Sequence, residues 1–400
     1  MNARLAELQP YPFEKLAALV EGIDPPKEKS PIRLSIGEPQ HAAPTLVLDA
    51  LAKNLGGAST YPSTKGSPEL RQSVARWANR RFKLARQALD PERHVLPVAG
   101  TREALFAIAQ TVIAPQSDTP PFVIIPNPFY QIYEGAALLA GARPYFVNTL
   151  EANGYRMDLS GVPDDVWKRT QLLYVCSPGN PTGTVLTLRD WTHIIELSHL
   201  HDFIIASDEC YSEIYFNEAA PPPGILEAAA RMGLRDYKNC LAFHSLSKRS
   251  NLPGLRSGFV AGDAEILASY FNYRTYQGCA LPPPTQAASI VAWNDEAHVR
   301  QNRDLYREKF DAVLTELGDA LEVRRPDASF YLWPRTPIDD ETFTRELYRR
   351  ENVLVLPGSY LSRTVDGKNP GANRVRVALV APAAECIGAA ERIRRYVESL

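Results

Sequence analysis

From about residue 93 onward, short runs of apolar residues alternate with stretches whose apolar positions recur at helical spacing, and polar clusters separate them. Val95-Leu96-Pro97-Val98 leads through Gly100-Thr101 into a segment in which Leu105, Ile108, Ala109, Val112 and Ile113 keep one helix face. Phe122 to Ile125 is the next short run, followed by Pro126-Asn127-Pro128-Phe129-Tyr130 and a helix through Ala140. Arg143 to Val147, Leu172 to Cys176, Phe203 to Ala206, Cys240 to Phe243 and Gly258 to Ala261 continue the strand series. Thr187-x-x-Asp190 is a capping box ahead of the helix carrying Trp191, Ile194 and Ile195. Apolar strands alternating with helices predict an α/β fold, a largely parallel sheet covered on both faces. Ligands of such sheets bind beyond the carboxyl ends of the strands, where the polar clusters fall.

Both ends of the chain follow a different pattern. Residues 1–30 hold one short amphipathic helix, around Pro12 to Val20, and a connector rich in Pro, Lys and Glu. Ile32 to Ile36 is a strand candidate, and the turn Gly37-Glu38-Pro39 follows it. Tyr61-Pro62-Ser63-Thr64-Lys65-Gly66 is loop chemistry, and Ser67-Pro68-Glu69 then opens a helix with a cap, a first-position proline and an acid. Residues 285–318 read as one long charged helical region. Phe330 to Trp333, Val353 to Leu356 and Arg374 to Val380 read as strands of a smaller sheet, closed by a helix from Ala383. The division expected is an arm and part of a small α+β domain over 1–45, a large domain over 46–285, and the rest of the small domain, with an interdomain helix, over 286–400.

Composition narrows the partners. Of 400 residues, 45% are hydrophobic and 22% charged, enough for two packed domains, and a net charge of -2 speaks against nucleic acid or an anionic membrane. Cys176, Cys210, Cys240, Cys279 and Cys386 are odd in number, scattered and without C-x-x-C spacing, so they read as reduced thiols. Leu16 to Val20 is too short for a signal or a membrane span, which places the protein in the cytoplasm. Metal-hydrolase, P-loop and esterase motifs and any clustered Cys/His set are missing from the sequence, so small molecules and no metal are expected.

The candidate chemistry centres on Ser245-Leu246-Ser247-Lys248-Arg249-Ser250, followed by Asn251-Leu252-Pro253-Gly254-Leu255-Arg256. An amine flanked by hydroxyls and trailed by a guanidinium suits Schiff-base chemistry beside a phosphate. Gly100-Thr101 opens a helix and offers an anion site, and Tyr130 offers a flat ring. Ser177-Pro178-Gly179-Asn180-Pro181-Thr182-Gly183 is a rigid double turn that fixes the amide of Asn180. Asp208, trailed by Tyr211, can cap the next element or pair with a protonated pyridine nitrogen. Each of these alone is equally well a turn, a cap or core filler; their succession along one sheet is the signal.

That succession resembles the fold-type I, class I and II pyridoxal phosphate aminotransferases almost from end to end. The resemblance implies a mostly parallel seven-stranded sheet, pyridoxal 5'-phosphate as cofactor, and amino acids and keto acids as substrates. It implies that Lys248 binds the cofactor aldehyde and shuttles a proton, that Asp208 meets the pyridine nitrogen, that Asn180 and Tyr211 meet the phenolic oxygen, and that Tyr130 stacks on the ring. Gly100, Thr101, Ser245, Ser247 and Arg256 would hold the phosphate, with Arg102 also at the cofactor. Tyr61 would reach the phosphate of a neighbouring subunit, which implies a homodimer with shared active sites. Arg376 would clamp the substrate α-carboxylate, with Gly37 and Asn180 beside it. Ala328-Ser329-Phe330 stands where many relatives have a glycine, raising the expectation of a different local backbone.

Three stretches, Ser35 to His41, Asn127 to Tyr133 and Pro10 to Leu16, are similar to proteobacterial succinyldiaminopimelate aminotransferases of lysine biosynthesis. That likeness implies exchange between N-succinyl-2-amino-6-ketopimelate and glutamate, with the donor to a distal carboxylate left open among many arginines, Arg33 and Arg102 included. An aspartate, alanine or aromatic aminotransferase and a C–S lyase share the same core residues. A cofactor-binding regulatory module is the non-enzymatic alternative.

Overall fold

The computed structural model describes residues 1–84, 88–114 and 119–400. Its first strand, β1 (Ile32–Arg33), pairs in parallel with a strand near the far end of the chain. The central layer is built from β2 (Val95–Val98), β3 (Phe122–Asn127), β4 (Arg143–Asn148), β5 (Thr170–Cys176), β6 (Ile204–Asp208), β7 (Cys240–Ser245) and β8 (Gly258–Gly262). They form one seven-stranded sheet in the order β2-β8-β7-β6-β5-β3-β4, parallel except for β8, which runs antiparallel to both neighbours. The α/β fold and the mostly parallel sheet read from the sequence are therefore present.

Strands buried on both faces explain the continuous apolar runs. Along β6, Ile205 packs with Trp77, Trp191 and Phe259 on one face, whereas Ala206 joins Leu105, Tyr133 and Phe243 on the other. The expected helix starts are capped as drawn: the Ser67 hydroxyl accepts from the Leu70 N–H at 3.2 Å, and Thr187 and Asp190 close their reciprocal box.

The smaller sheets differ from expectation in detail. β9 (Tyr331–Leu332), β10 (Val353–Leu354), β11 (Leu356–Pro357) and β12 (Val375–Ala378) are short, and Val353 to Leu356 is not one strand. β10 pairs with β1, while β11 pairs with β12, so the chain changes sheets at Val355. The predicted strand Ile32 to Ile36 likewise stops early: the Leu34 carbonyl accepts from Ala378, and the chain then turns away to carry Gly37 toward Lys248. Phe310, Leu332, Leu347, Val353, Val377 and Ile393 form the core of this region together with Ile32 from the other end of the chain.

The long helical region is two helices, Pro283–Asn294 and Ala297–Leu317, broken at Asp295. Asp295 is extended there, and its carboxylate accepts from the His298 N–H at 3.0 Å, as aspartate does when it competes with the helix backbone. Ser329 sits at φ +77°, the region glycine favours, with its hydroxyl accepting from the Tyr331 N–H. A left-handed turn is thus formed here although a side chain is present. Among the described residues no helix is long and apolar enough to cross a membrane.

Ile205→Ala, at a fully buried site of the central strand, is expected to destabilise the protein by about 2–5 kcal/mol, read as a lower urea midpoint.

Candidate active site

Beyond the carboxyl ends of β6 and β7 lies a cleft of about 520 Å³ that also reaches Gly37 and Arg376 of the small-sheet region. Thr101, Arg102, Tyr130, Asn180, Asp208, Tyr211, Ser245, Ser247, Lys248 and Arg256 line it too. Gly100 stands directly before Thr101, whereas Tyr61 is fully exposed and lies outside the cleft of its own chain.

Lys248 sits in the one-turn helix Leu246–Arg249, whose start Ser245 caps by accepting from the Ser247 N–H at 3.1 Å. Its ammonium donates to the Gly37 carbonyl and lies 5.4 Å from the Phe330 ring centre. Burial, with Arg376 adding to it, pulls the amine from 10.5 down to about 8. A neutral, nucleophilic amine is therefore within reach near neutral pH.

Asp208 ends β6 at 5% exposure, accepting from the Tyr133 hydroxyl at 2.7 Å and the Cys210 N–H at 3.3 Å. Burial pushes its carboxyl above the ordinary value, against the hydrogen bonds from Cys210 and Tyr133. Tyr130 accepts from Arg102 Nε at 2.8 Å, and burial raises its hydroxyl pKa.

Gly100 has φ +89°, and a Cβ there would stand 2.2 Å from Arg256 Nη2. The backbone and that guanidinium thus converge at the start of the helix Thr101–Val112. Arg256 is itself held by a bond from Nη1 to the Pro253 carbonyl at 2.8 Å.

On the opposite wall, Arg376 of β12 donates to Asn180 Oδ1 at 3.0 Å and to the Ser35 carbonyl at 2.7 Å, while its Nε is buried without a partner. Its guanidinium lies 4.5 Å from the Tyr331 ring centre. Tyr331 shares a 2.9 Å hydroxyl contact with Tyr211, and a Cβ on Gly37 would fall 2.0 Å from the Tyr331 hydroxyl. Glycine at 37 is thus required by close approach.

Tyr133, Tyr331, Cys210, Tyr11 and Ser35 join the site without having been singled out. Tyr133 lies on a buried helix face and reads as core, and Ser35 acts through its backbone, so neither carried a signal. Arg33 is exposed and away from the cleft, whereas Arg102 lines it.

The profile of the family described as aminotransferase class I and II matches residues 29–393. The chain belongs to the class I and II aminotransferases. It is 32% identical to an LL-diaminopimelate aminotransferase of Nitratidesulfovibrio vulgaris, over 98% of each chain. A crystal structure of an aminotransferase from Neisseria meningitidis superposes with a TM-score of 0.94 at 49% identity, covering 99% of this chain and all of that one. The aminotransferase AspB from Helicobacter pylori superposes with a TM-score of 0.88 at 36% identity, over 98% of this chain and all of that one.

This aminotransferase is a pyridoxal 5'-phosphate enzyme that moves amino groups between amino acids and keto acids. Its cleft fits the cofactor. The buried Asp208 carboxylate lacks a cation that a protonated pyridine would supply, and the space a Cβ at Gly100 would fill adjoins a guanidinium suited to phosphate.

In cofactor-free protein, Lys248 is charged below and neutral above its pKa, so its acylation should reach half-maximal rate near pH 8, about where burial sets it, instead of near 10.5. Peptide mass spectrometry over a pH series, with Lys248→Ala as the blank, checks this.

Proposed function

We propose that the enzyme exchanges an amino group between N-succinyl-LL-2,6-diaminopimelate and 2-oxoglutarate, giving N-succinyl-2-amino-6-ketopimelate and glutamate. The observation that carries this reading is a pair of arginines, Arg376 and Arg102, lining one cleft with Lys248. Two guanidiniums suit a substrate with carboxylates at both ends, and about 520 Å³ leaves room for a long one. The stretches Ser35 to His41, Asn127 to Tyr133 and Pro10 to Leu16 support the succinylated substrate. The name of the Nitratidesulfovibrio relative favours a second reading, in which free LL-2,6-diaminopimelate is the amino donor.

Bound pyridoxal 5'-phosphate supplies an electron sink for charge developing at the substrate α-carbon. Arg376 lines the cleft and would hold the α-carboxylate through the N–H groups that its single bonds to Asn180 and Ser35 leave free. Asn180, already gripped by Arg376, and Tyr211 present donors to the phenolic oxygen. Asp208 keeps a proton on the ring nitrogen, with Tyr133 orienting the carboxylate. Tyr130 would lie against the ring, and Gly100, Thr101, Ser245, Ser247 and Arg256 would hold the phosphate. With the cofactor bound, Lys248 Nζ would take the proton from the substrate α-carbon, work suited to an amine tuned to about 8.

A homodimer is part of the same proposal. Tyr61 at 103%, Tyr276 at 88% and Leu55 at 59% exposure are apolar surfaces that a second copy would cover, with Tyr61 reaching its phosphate. The division into a cofactor-binding domain over 46–285 and a small domain over 1–45 and 286–400 is supported by the core that joins Ile32 to residues 310–396. The cytoplasm is the compartment proposed.

Half-reaction rates with succinylated and free diaminopimelate, aspartate and alanine test the assignment: the succinylated donor should be fastest, and a faster reaction with aspartate or alanine overturns it. Arg376→Ala should raise KM for every amino donor and keto acid alike by about ten- to a hundredfold, the scale of hydrogen bonds to a charge. Steady-state kinetics across the panel measure it.

A further inference from the structure

The helix Ala297–Leu317 turns one buried face toward both halves of the site. His298, Asn302, Tyr306 and Lys309 stand at intervals of four, four and three, one above another along that face. At one end, His298 Nε2 meets the Ser250 hydroxyl at 2.8 Å, two residues after Lys248, while its Nδ1 meets Asp295 at 2.6 Å. At the other end, Lys309 donates to the carbonyls of Leu379 and Val380, just past the strand that carries Arg376. Tyr306 packs on Phe330, the ring beneath the Lys248 ammonium.

Between them, Asn302 Oδ1 accepts from two donors. One is Asn251 Nδ2 at 2.9 Å, three residues after Lys248; the other is His41 Nδ1 at 2.7 Å, four residues after Gly37. Burial keeps the His41 ring below its usual pKa, and the ring leans on Tyr306 at 4.6 Å. A single oxygen therefore ties the turn bearing the amine to the loop bearing the carbonyl that this amine donates to. Asn302 Nδ2, Asn251 Oδ1 and His41 Nε2 remain buried without partners, so the junction holds spare donors and acceptors. Such a junction is costly as packing alone, where apolar groups of the same shape would serve.

We propose that Asn302 is a positioning residue for amino transfer: its amide oxygen, shared by His41 and Asn251, sets where the Gly37 carbonyl stands against the Lys248 amine. To act on substrate the amine must leave that carbonyl, and its reach depends on the separation of loop and turn. Misplacement of a reacting group by about 1 Å costs up to about a hundredfold in rate.

The inference rests on Lys248 as the reacting amine. Holoenzyme carrying Asn302→Leu, which keeps the volume and removes the acceptor, is compared with Asn302→Asp, which keeps an oxygen. The expected result for Asn302→Leu is a half-reaction with glutamate slower by about ten- to a hundredfold, with half-saturating glutamate changed less than about twofold. The pH midpoint of the bound cofactor's visible absorbance should also move by about half a unit or more, since it reports the surroundings of the lysine nitrogen. Asn302→Asp should recover most of both effects. A folded Asn302→Leu holoenzyme with parental rate and midpoint overturns the proposal, as does an Asn302→Asp that behaves like Asn302→Leu. Should Asn302→Leu fail to fold, His41→Leu and Asn251→Ala each cut one arm; both should slow the half-reaction, the double variant little further, and parental rates in both overturn the proposal. Lys248→Ala run alongside loses the absorbance of lysine-bound cofactor; if that absorbance persists, it is the assignment of Lys248 that fails.

Discussion

An amine removed from water must find a partner or give up its proton, and the structure around Lys248 is arranged by that requirement. The amine is held by the Gly37 carbonyl and lies over Phe330, both from the small-sheet region, while its own backbone extends from β7 of the large sheet. The amine is thus shared between the large sheet and the small-sheet region. What keeps it nucleophilic is their meeting, because neither part alone would exclude water from it.

The same logic runs through the rest of the cleft. Parallel strands buried on both faces deliver their carboxyl ends to one edge, so Asp208, Ser245 and the turn around Asn180 arrive together without long loops. Asp208 and Tyr211 are buried and Asn180 half-buried, and each is oriented by a neighbour: Asp208 by Tyr133, Asn180 by Arg376, Tyr211 by Tyr331. Satisfied polar networks of this kind favour one geometry.

Much of the large sheet was legible because its strands are uninterrupted apolar runs and its helices keep helical spacing. The strands of the small region were harder to read. β10 and β11 are two residues each and belong to different sheets, a distinction made by partners some 320 and 20 residues away in sequence and invisible to local periodicity. The break at Asp295 was hidden in a long helical stretch, since the aspartate that ends the first helix also fits the middle of a solvated one. Ser329 kept a left-handed backbone that its residue type gave no reason to expect.

The linear order of Gly100, Tyr130, Asn180, Asp208, Lys248 and Arg256 already determined the kind of chemistry, because each residue type supplies a functional group that its position at a strand end can present. Only the folded chain decided which groups touch. Tyr133 on Asp208, Tyr331 on Tyr211 and Gly37, and Asn302 between His41 and Asn251 are contacts across 51 residues or more. Side chains on helix faces carry no local mark of such partners: burial gives them the same apolar or amphipathic pattern whether they fill a core or hold a catalytic group, and the difference arises only when distant elements pack.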